Sequence, residues 1–172
     1  MFYVVAWPML AEADDTALRR LRAQYHPREA EILGPHFTLV FGAPASEEAR
    51  LRTAVAGLAE RRPFWFVLER LVRHDMAPPS RAAYLYAVPA DGAAELIELH
   101  ETLNPVPGPV SGVEAFEPHI TLGLFGHAAE AEHLARMVER QHLPMHGRVE
   151  ELALLRRHDG GLDTLASVRL MG

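Results

Sequence analysis

The chain has 172 residues, 49% of them hydrophobic and 23% charged, which fits one globular domain or two small lobes sharing a core. All 17 Lys+Arg cations are arginine and cysteine is absent, which excludes thiolate nucleophiles, disulfides, zinc–thiolate sites, Schiff-base lysines, Gly-Lys-Ser/Thr phosphate loops and lysine-linked nucleotidyl intermediates. A net charge of −6 argues against a grip on long nucleic acid, whose phosphates supply most of the affinity, and favours a small anionic substrate.

Phe2–Trp7 is a β-branched and aromatic run ended by Pro8, a strand rather than a basic leader peptide. No apolar run reaches the roughly 20 residues that span a bilayer, so no membrane partner and a cytoplasmic location are expected. Leu18 and Leu21 mark an amphipathic helix over 14–25, with Asp14 or Asp15 as N-cap. Gly34-Pro35 precedes a strand over 36–41, and Ser46-Glu-Glu starts a second helix reaching Arg61. A strand over 64–72 leads to the polar, proline-bearing segment 73–81, expected as a loop or lid. The second half repeats the order, with a strand over 82–88, a helix over 91–103, a Pro/Gly-rich connection over 104–112, a strand over 119–125 and a helix over 128–141. Strands over 148–156 and 162–170, joined by Asp159-Gly-Gly, close the chain. The expected fold is α+β and bilobal, one domain over 1–172. In it two mostly antiparallel sheets, backed by helices, surround a central cleft as an internal duplication.

One motif marks the repeat. Pro35-His36-Phe37-Thr38-Leu39 recurs 83 positions later as Pro118-His119-Ile120-Thr121-Leu122. Two His-x-Thr-Leu strings arise by chance in roughly one such chain in a thousand. On a strand, His36 and Thr38 share one face while Phe37 and Leu39 take the other, and the same holds for His119 and Thr121 against Ile120 and Leu122. Facing each other across a cleft, two imidazoles and two hydroxyls suit phosphoester cleavage without a metal. One His takes a proton from the attacking oxygen and the other protonates the leaving oxygen, while the threonines hold the non-bridging oxygens. His119 is the working base and His36 the working acid, an order that the symmetry of the motifs leaves open.

The paired motifs on half-repeats resemble the two-histidine phosphoesterase superfamily, which includes RNA 2′,3′-cyclic phosphodiesterases, also named 2′-5′ RNA ligases. The resemblance implies His36, Thr38, His119 and Thr121 as the active site of a cyclic phosphodiesterase that uses no metal or other cofactor. The bacterial branch typically continues its second motif as H-x-T-L-A-R, where this chain has Gly123-Leu124. That departure again favours a small cyclic-phosphate nucleotide or an RNA end as substrate; a monomer is expected. Two alternatives are ATP-independent 2′-5′ ligation at the same site and a binding module that holds a nucleotide or RNA end without chemistry.

Tyr84 and Tyr86 alternate on one strand and are candidates to stack on a base, against ordinary strand packing. Arg73 and Arg81 flank the expected lid and are candidates to close on a phosphate, against a solvated loop. His142 and His146 have helical metal-ligand spacing, but Pro144 breaks the helix between them. No serine lies in Gly-x-Ser-x-Gly. The pairs Arg19-Arg20, Arg61-Arg62 and Arg156-Arg157 read as solvated faces or helix ends.

Overall fold

A computed structural model of the chain describes residues 1–104, 116–159 and 161–172. The expected connection over 104–112 therefore lies, Asn104 apart, outside the described residues, as does Gly160 of the Asp159-Gly-Gly turn. Strand β1 (Phe2–Leu10) is followed by helices α1 (Glu12–Tyr25) and α2 (Pro27–Ile32), and then by strand β2 (Phe37–Ala43). Helix α3 (Glu48–Ala56), strand β3 (Phe64–Asp75) and strand β4 (Ala83–Pro89) come next. Helix α4 (Ala93–Leu103), strand β5 (Ile120–Phe125), helix α5 (Ala128–His142) and strands β6 (Met145–His158) and β7 (Gly161–Arg169) complete the described fold.

Strand β1 runs past Pro8 to Leu10 and β6 begins at Met145 rather than at 148, and three further boundaries differ from the sequence reading for identifiable reasons. The helix α1 begins at Glu12, so Asp14 and Asp15 stand in its first turn, where carboxylates oppose the helix dipole, rather than at the N-cap. The second helix is an α-helical centre between two 3-10 turns, Ala45–Glu47 and Gly57–Glu60. Strand β3 continues through Arg73, His74 and Asp75, which pair with Leu85, Tyr84 and Ala83. The polar run that suggested a loop from Arg73 is thus strand as far as Asp75.

All ladder pairings are antiparallel, in the order β2-β1-β6-β3-β4-β5. Strand β6 is the shared element. Its first part, Met145–Val149, lies beside Phe64–Leu68 of β3, and its second part carries β7. The two expected half-sheets are therefore joined edge to edge. The order reads the same from either end when β1, β2 and β3 are exchanged for β4, β5 and β6.

Two helices are exchanged between the halves. Helix α1 follows β1 but packs on β5, and α4 follows β4 but packs on β2. Helix α3 packs on β6 and β7, and α5 on β3, β4 and β5. One cluster of buried side chains runs through both halves, from Val4, Phe37, Leu39 and Leu51 to Phe66, Leu85, Leu96, Ile120 and Leu122. A smaller one, Val5 with Ala153 and Leu155, sits under Tyr3, Trp7, Leu33 and Leu162. Among the described residues no helix is long and apolar enough to cross a membrane.

Candidate active site

The motif strands β2 and β5 are the two ends of the ladder. On each, the residues flanking the threonine are core. Phe37, Leu39, Ile120 and Leu122 are at most 1% exposed, whereas Thr38 and Thr121 are half-buried on the other face. Both ladders carry a bulge at the same place. Register steps from Val4↔Val40 to Val5↔Thr38 and from Leu85↔Gly123 to Tyr86↔Thr121, which leaves Leu39 and Leu122 as the extra residues. A bulge bends its strand and re-aims the neighbouring side chains. Here the neighbour is the motif threonine in both halves.

Each histidine sits one residue ahead of its strand and is anchored alike. The Nδ1 of His36 donates to the carbonyl of Gly34 at 2.8 Å, and Nδ1 of His119 to the carbonyl of Glu117 at 2.8 Å. A carbonyl only accepts, so Nδ1 carries the proton and Nε2 of each neutral ring keeps its lone pair. Burial is the main cause that pushes the His36 imidazole down to about 4; the Gly34 bond opposes it, and positive charge on Arg22 and on His119 adds to it. Burial also lowers His119, against the Glu117 carbonyl bond and carboxylate, with His74 adding to the fall. The His36 imidazole thus senses charge on His119.

The rings surrounding the two histidines differ. His119 is stacked on Tyr86 with centroids 3.7 Å apart, and Tyr86 is stacked in turn with Tyr84 at 5.8 Å and His74 at 5.7 Å. Of the two candidate tyrosines, Tyr86 thus has a motif histidine on it, and Tyr84 lies edge-on to His26. His36 meets the edge of Trp7 at 6.4 Å and lines a small cavity with Thr38, Tyr3, Glu29, Phe41 and Arg157. Arg81 lines a different cavity, with Asp75, Met76 and His127, and Arg73 pairs with Glu132 and Asp75.

Sequence reading missed Arg22, His74, Trp7 and Arg157. Arg22 stands out because it is 1% exposed and binds two backbone carbonyls, those of Thr121 and, at 2.9 Å, Leu33. His74 was signalled only by its alternation with Val72 on a strand that looked like a loop. Among the described residues no group of three or more His, Asp or Glu side chains is placed to hold a metal ion.

The family model of the 2′-5′ RNA ligase superfamily matches residues 8–161. No functionally curated protein matches the chain in sequence. Three solved structures are similar along nearly their whole length. TT0787 of Thermus thermophilus has a TM-score of 0.64 at 20% identity, covering 99% of this chain and 98% of its own. Escherichia coli LigT complexed with 3′-AMP has 0.61 at 20% identity, with 99% and 98% covered. Kluyveromyces marxianus Usb1 with uridine monophosphate has 0.54 at 14% identity, with 95% and 97% covered. These likenesses speak for the fold, which the antiparallel ladder and its helices match. With a family match over most of its length and that fold, the chain belongs to the 2′-5′ RNA ligase superfamily, within the two-histidine phosphoesterases.

Proposed function

We propose that the chain is a metal-independent phosphodiesterase that opens a 2′,3′-cyclic phosphate on a small nucleotide or an RNA end. His36 and His119 form the acid–base pair, and Thr38 and Thr121 donate to the non-bridging phosphate oxygens. The observation that carries this reading is the matched presentation of the two rings. Each imidazole is held by the same carbonyl bond with Nε2 left over, two residues before a half-buried threonine beside a bulge.

In this mechanism water attacks phosphorus and one P–O bond of the ring breaks. One Nε2 takes the proton of the attacking water and the other ring protonates the leaving ribose oxygen. The product is a phosphomonoester; with a 5′-hydroxyl end in place of water, the same ring opening and the same two proton transfers give a phosphodiester instead. The acidic whole and the mononucleotides bound by LigT and Usb1 favour a small substrate.

The test is a panel of the four 2′,3′-cyclic nucleotides, ADP-ribose cyclic phosphate and a cyclic-phosphate-ended RNA, assayed in EDTA. Turnover of at least one is expected, lost by a factor of about 10² or more in His36→Ala and in His119→Ala. Full turnover of every cleaved substrate by either variant sinks the reading. Products formed with an added 5′-hydroxyl oligonucleotide separate hydrolysis from ligation.

A further inference from the structure

The two exchanged helices do more than fill the core. Each carries polar side chains that reach the backbone of the other half's motif strand. From α1, the guanidinium of Arg22 donates to the carbonyl of Thr121 on β5 and, at 2.9 Å, to the carbonyl of Leu33. From α4, Nδ1 of His100 and the amide of Asn104 both donate to the carbonyl of Leu39 on β2, at 2.8 and 3.1 Å. The His100 ring also stacks on Phe116 at 3.9 Å and 5°. Leu33 and Phe116 each stand three residues before a motif histidine. Each exchanged helix thus ties one motif strand to the segment that leads into the other motif.

These strands need such partners. Both are ends of the ladder and both are bulged beside the threonine, and an edge strand leaves part of its main-chain groups without a strand neighbour. Gly123 lets α1 come this close, since a Cβ there would lie 2.7 Å from Cβ of Tyr25. A buried guanidinium is nonetheless an expensive way to satisfy two carbonyls. Among the described residues Arg22 contacts no carboxylate within bonding distance, and its Nε has no hydrogen-bond partner. Two neutral donors would satisfy the same carbonyls without burying a charge. What the planar fork adds is a fixed distance between two points, one on the second motif and one on the segment that leads into the first.

We propose that Arg22 is a positioning residue that sets the separation of the two His–Thr pairs, with His100 and Asn104 as its counterpart in the other half. The proposal rests on the reading of His36 and His119 as one site. Both carbonyls that Arg22 binds are main-chain groups, and neither belongs to a motif imidazole or hydroxyl. Its effect runs through the backbone of Thr121 and through the Leu33–His36 segment.

The full chain, with histidine rings labelled with 15N, is titrated with inorganic phosphate, while kcat is measured on the best cyclic nucleotide. In the parent protein the rings of His36 and His119 are expected to respond with one common Kd. In Arg22→Met, kcat is expected to fall about 10²-fold, as a misplacement near 1 Å does, and the two rings to lose their common Kd. Arg22→Lys keeps a charge but not the fork and is expected to fall between. Val138→Ala, a cavity in α5 that removes neither of the two ties, is expected to lower Tm while leaving kcat and the common Kd intact.

An Arg22→Met protein with unchanged kcat and a common Kd overturns the proposal, as does a loss no greater than Val138→Ala shows at equal Tm. If Arg22→Met does not fold, unchanged kcat in Arg22→Lys at lowered Tm overturns it. Separate responses of the two rings in the parent protein overturn the single-site reading, and the proposal with it.

Discussion

His119 lies flat on Tyr86, with ring centroids 3.7 Å apart and planes 18° from parallel, whereas His36 has no ring stacked beneath it among the described residues. The position on β1 equivalent to Tyr86 is Val5, since Val5 pairs with Thr38 as Tyr86 pairs with Thr121. The matched carbonyl bonds fix where each Nδ1 points, but only His119 has a planar surface that fixes its tilt. The same stack places Tyr84 and His74 along one face of the second half.

Tyr86→Ala should therefore cost catalysis more than stability. With the stack removed, the imidazole of His119 gains rotational freedom about the bond that remains. A fall in kcat of about 10–100-fold is expected, in line with the cost of a misplaced catalytic group. Tyr86→Phe keeps the ring and should stay within about twofold of the parent, because the argument uses no phenolic oxygen. A Tyr86→Phe variant as impaired as Tyr86→Ala would show that the hydroxyl, not the ring, matters.

The depressed imidazoles set the pH dependence of turnover. In the free protein His36 holds its proton only below about 4, and His119 also ionises below its ordinary 6.5. A cycle that needs one ring neutral and one protonated then has its kcat/KM maximum on the acid side of 6.5. A bound phosphate anion favours the protonated form and raises both rings. The kcat maximum should accordingly lie at higher pH than the kcat/KM maximum. Coincident maxima above pH 7 would contradict the burial argument.

Folding stability should follow the same rings with a definite sign. His36 takes up its proton near 6.5 when unfolded and only at about 4 when folded. Between those values the unfolded chain binds more protons, so stability is fully present above 6.5 and is lost as pH falls toward 4. The shift corresponds to at most about 3 kcal/mol, and His119 and His26, also lowered by burial, act in the same direction. Thermal melts between about pH 5 and 7 should show Tm falling on acidification, with a shallower slope in His36→Gln. An equal slope in that variant would assign the loss to other groups.

The motif histidines and threonines were legible because they sit at the two-residue period of a strand, among apolar residues, and occur twice. The ladder was legible for the same reason, as runs such as Phe2–Trp7 and Ala82–Val88 alternate or stay apolar between turn residues. What escaped was decided by partners far away in sequence. Arg22 looked like one more cation on an amphipathic helix, and its acceptors are main-chain carbonyls 11 and 99 positions off, which have no signature of their own. His74 was hidden because Arg73-His74-Asp75 is polar enough for a loop, yet pairing with β4 keeps it in the strand. The short helix α2 has only six residues, Pro27 in its first turn and no buried side chain, so it left no periodic trace.

Arg157, read from sequence as a solvated cation, lines the cavity that also holds His36, Thr38 and Tyr3, and it is bound by the carboxylate of Glu29 at 3.2 Å. It stands on β6, so it comes to the first motif from outside either half-repeat strand. If a cyclic phosphate is held between the two motifs, as proposed, this guanidinium would meet a phosphate group carried next to it, once that group competes with Glu29. Arg157→Ala should raise KM about tenfold for a substrate bearing such an extra phosphate, the size of one charge-assisted hydrogen bond, with kcat little changed. Glu29→Gln should lower KM for the same substrate by freeing the guanidinium. Because Arg157 is exposed, both effects should shrink as salt is raised. A KM insensitive to both substitutions would place the extra phosphate elsewhere. A fall in kcat alone would instead make Arg157 a support for the His36 side of the cleft, reached through Tyr3 and Glu29 rather than through substrate.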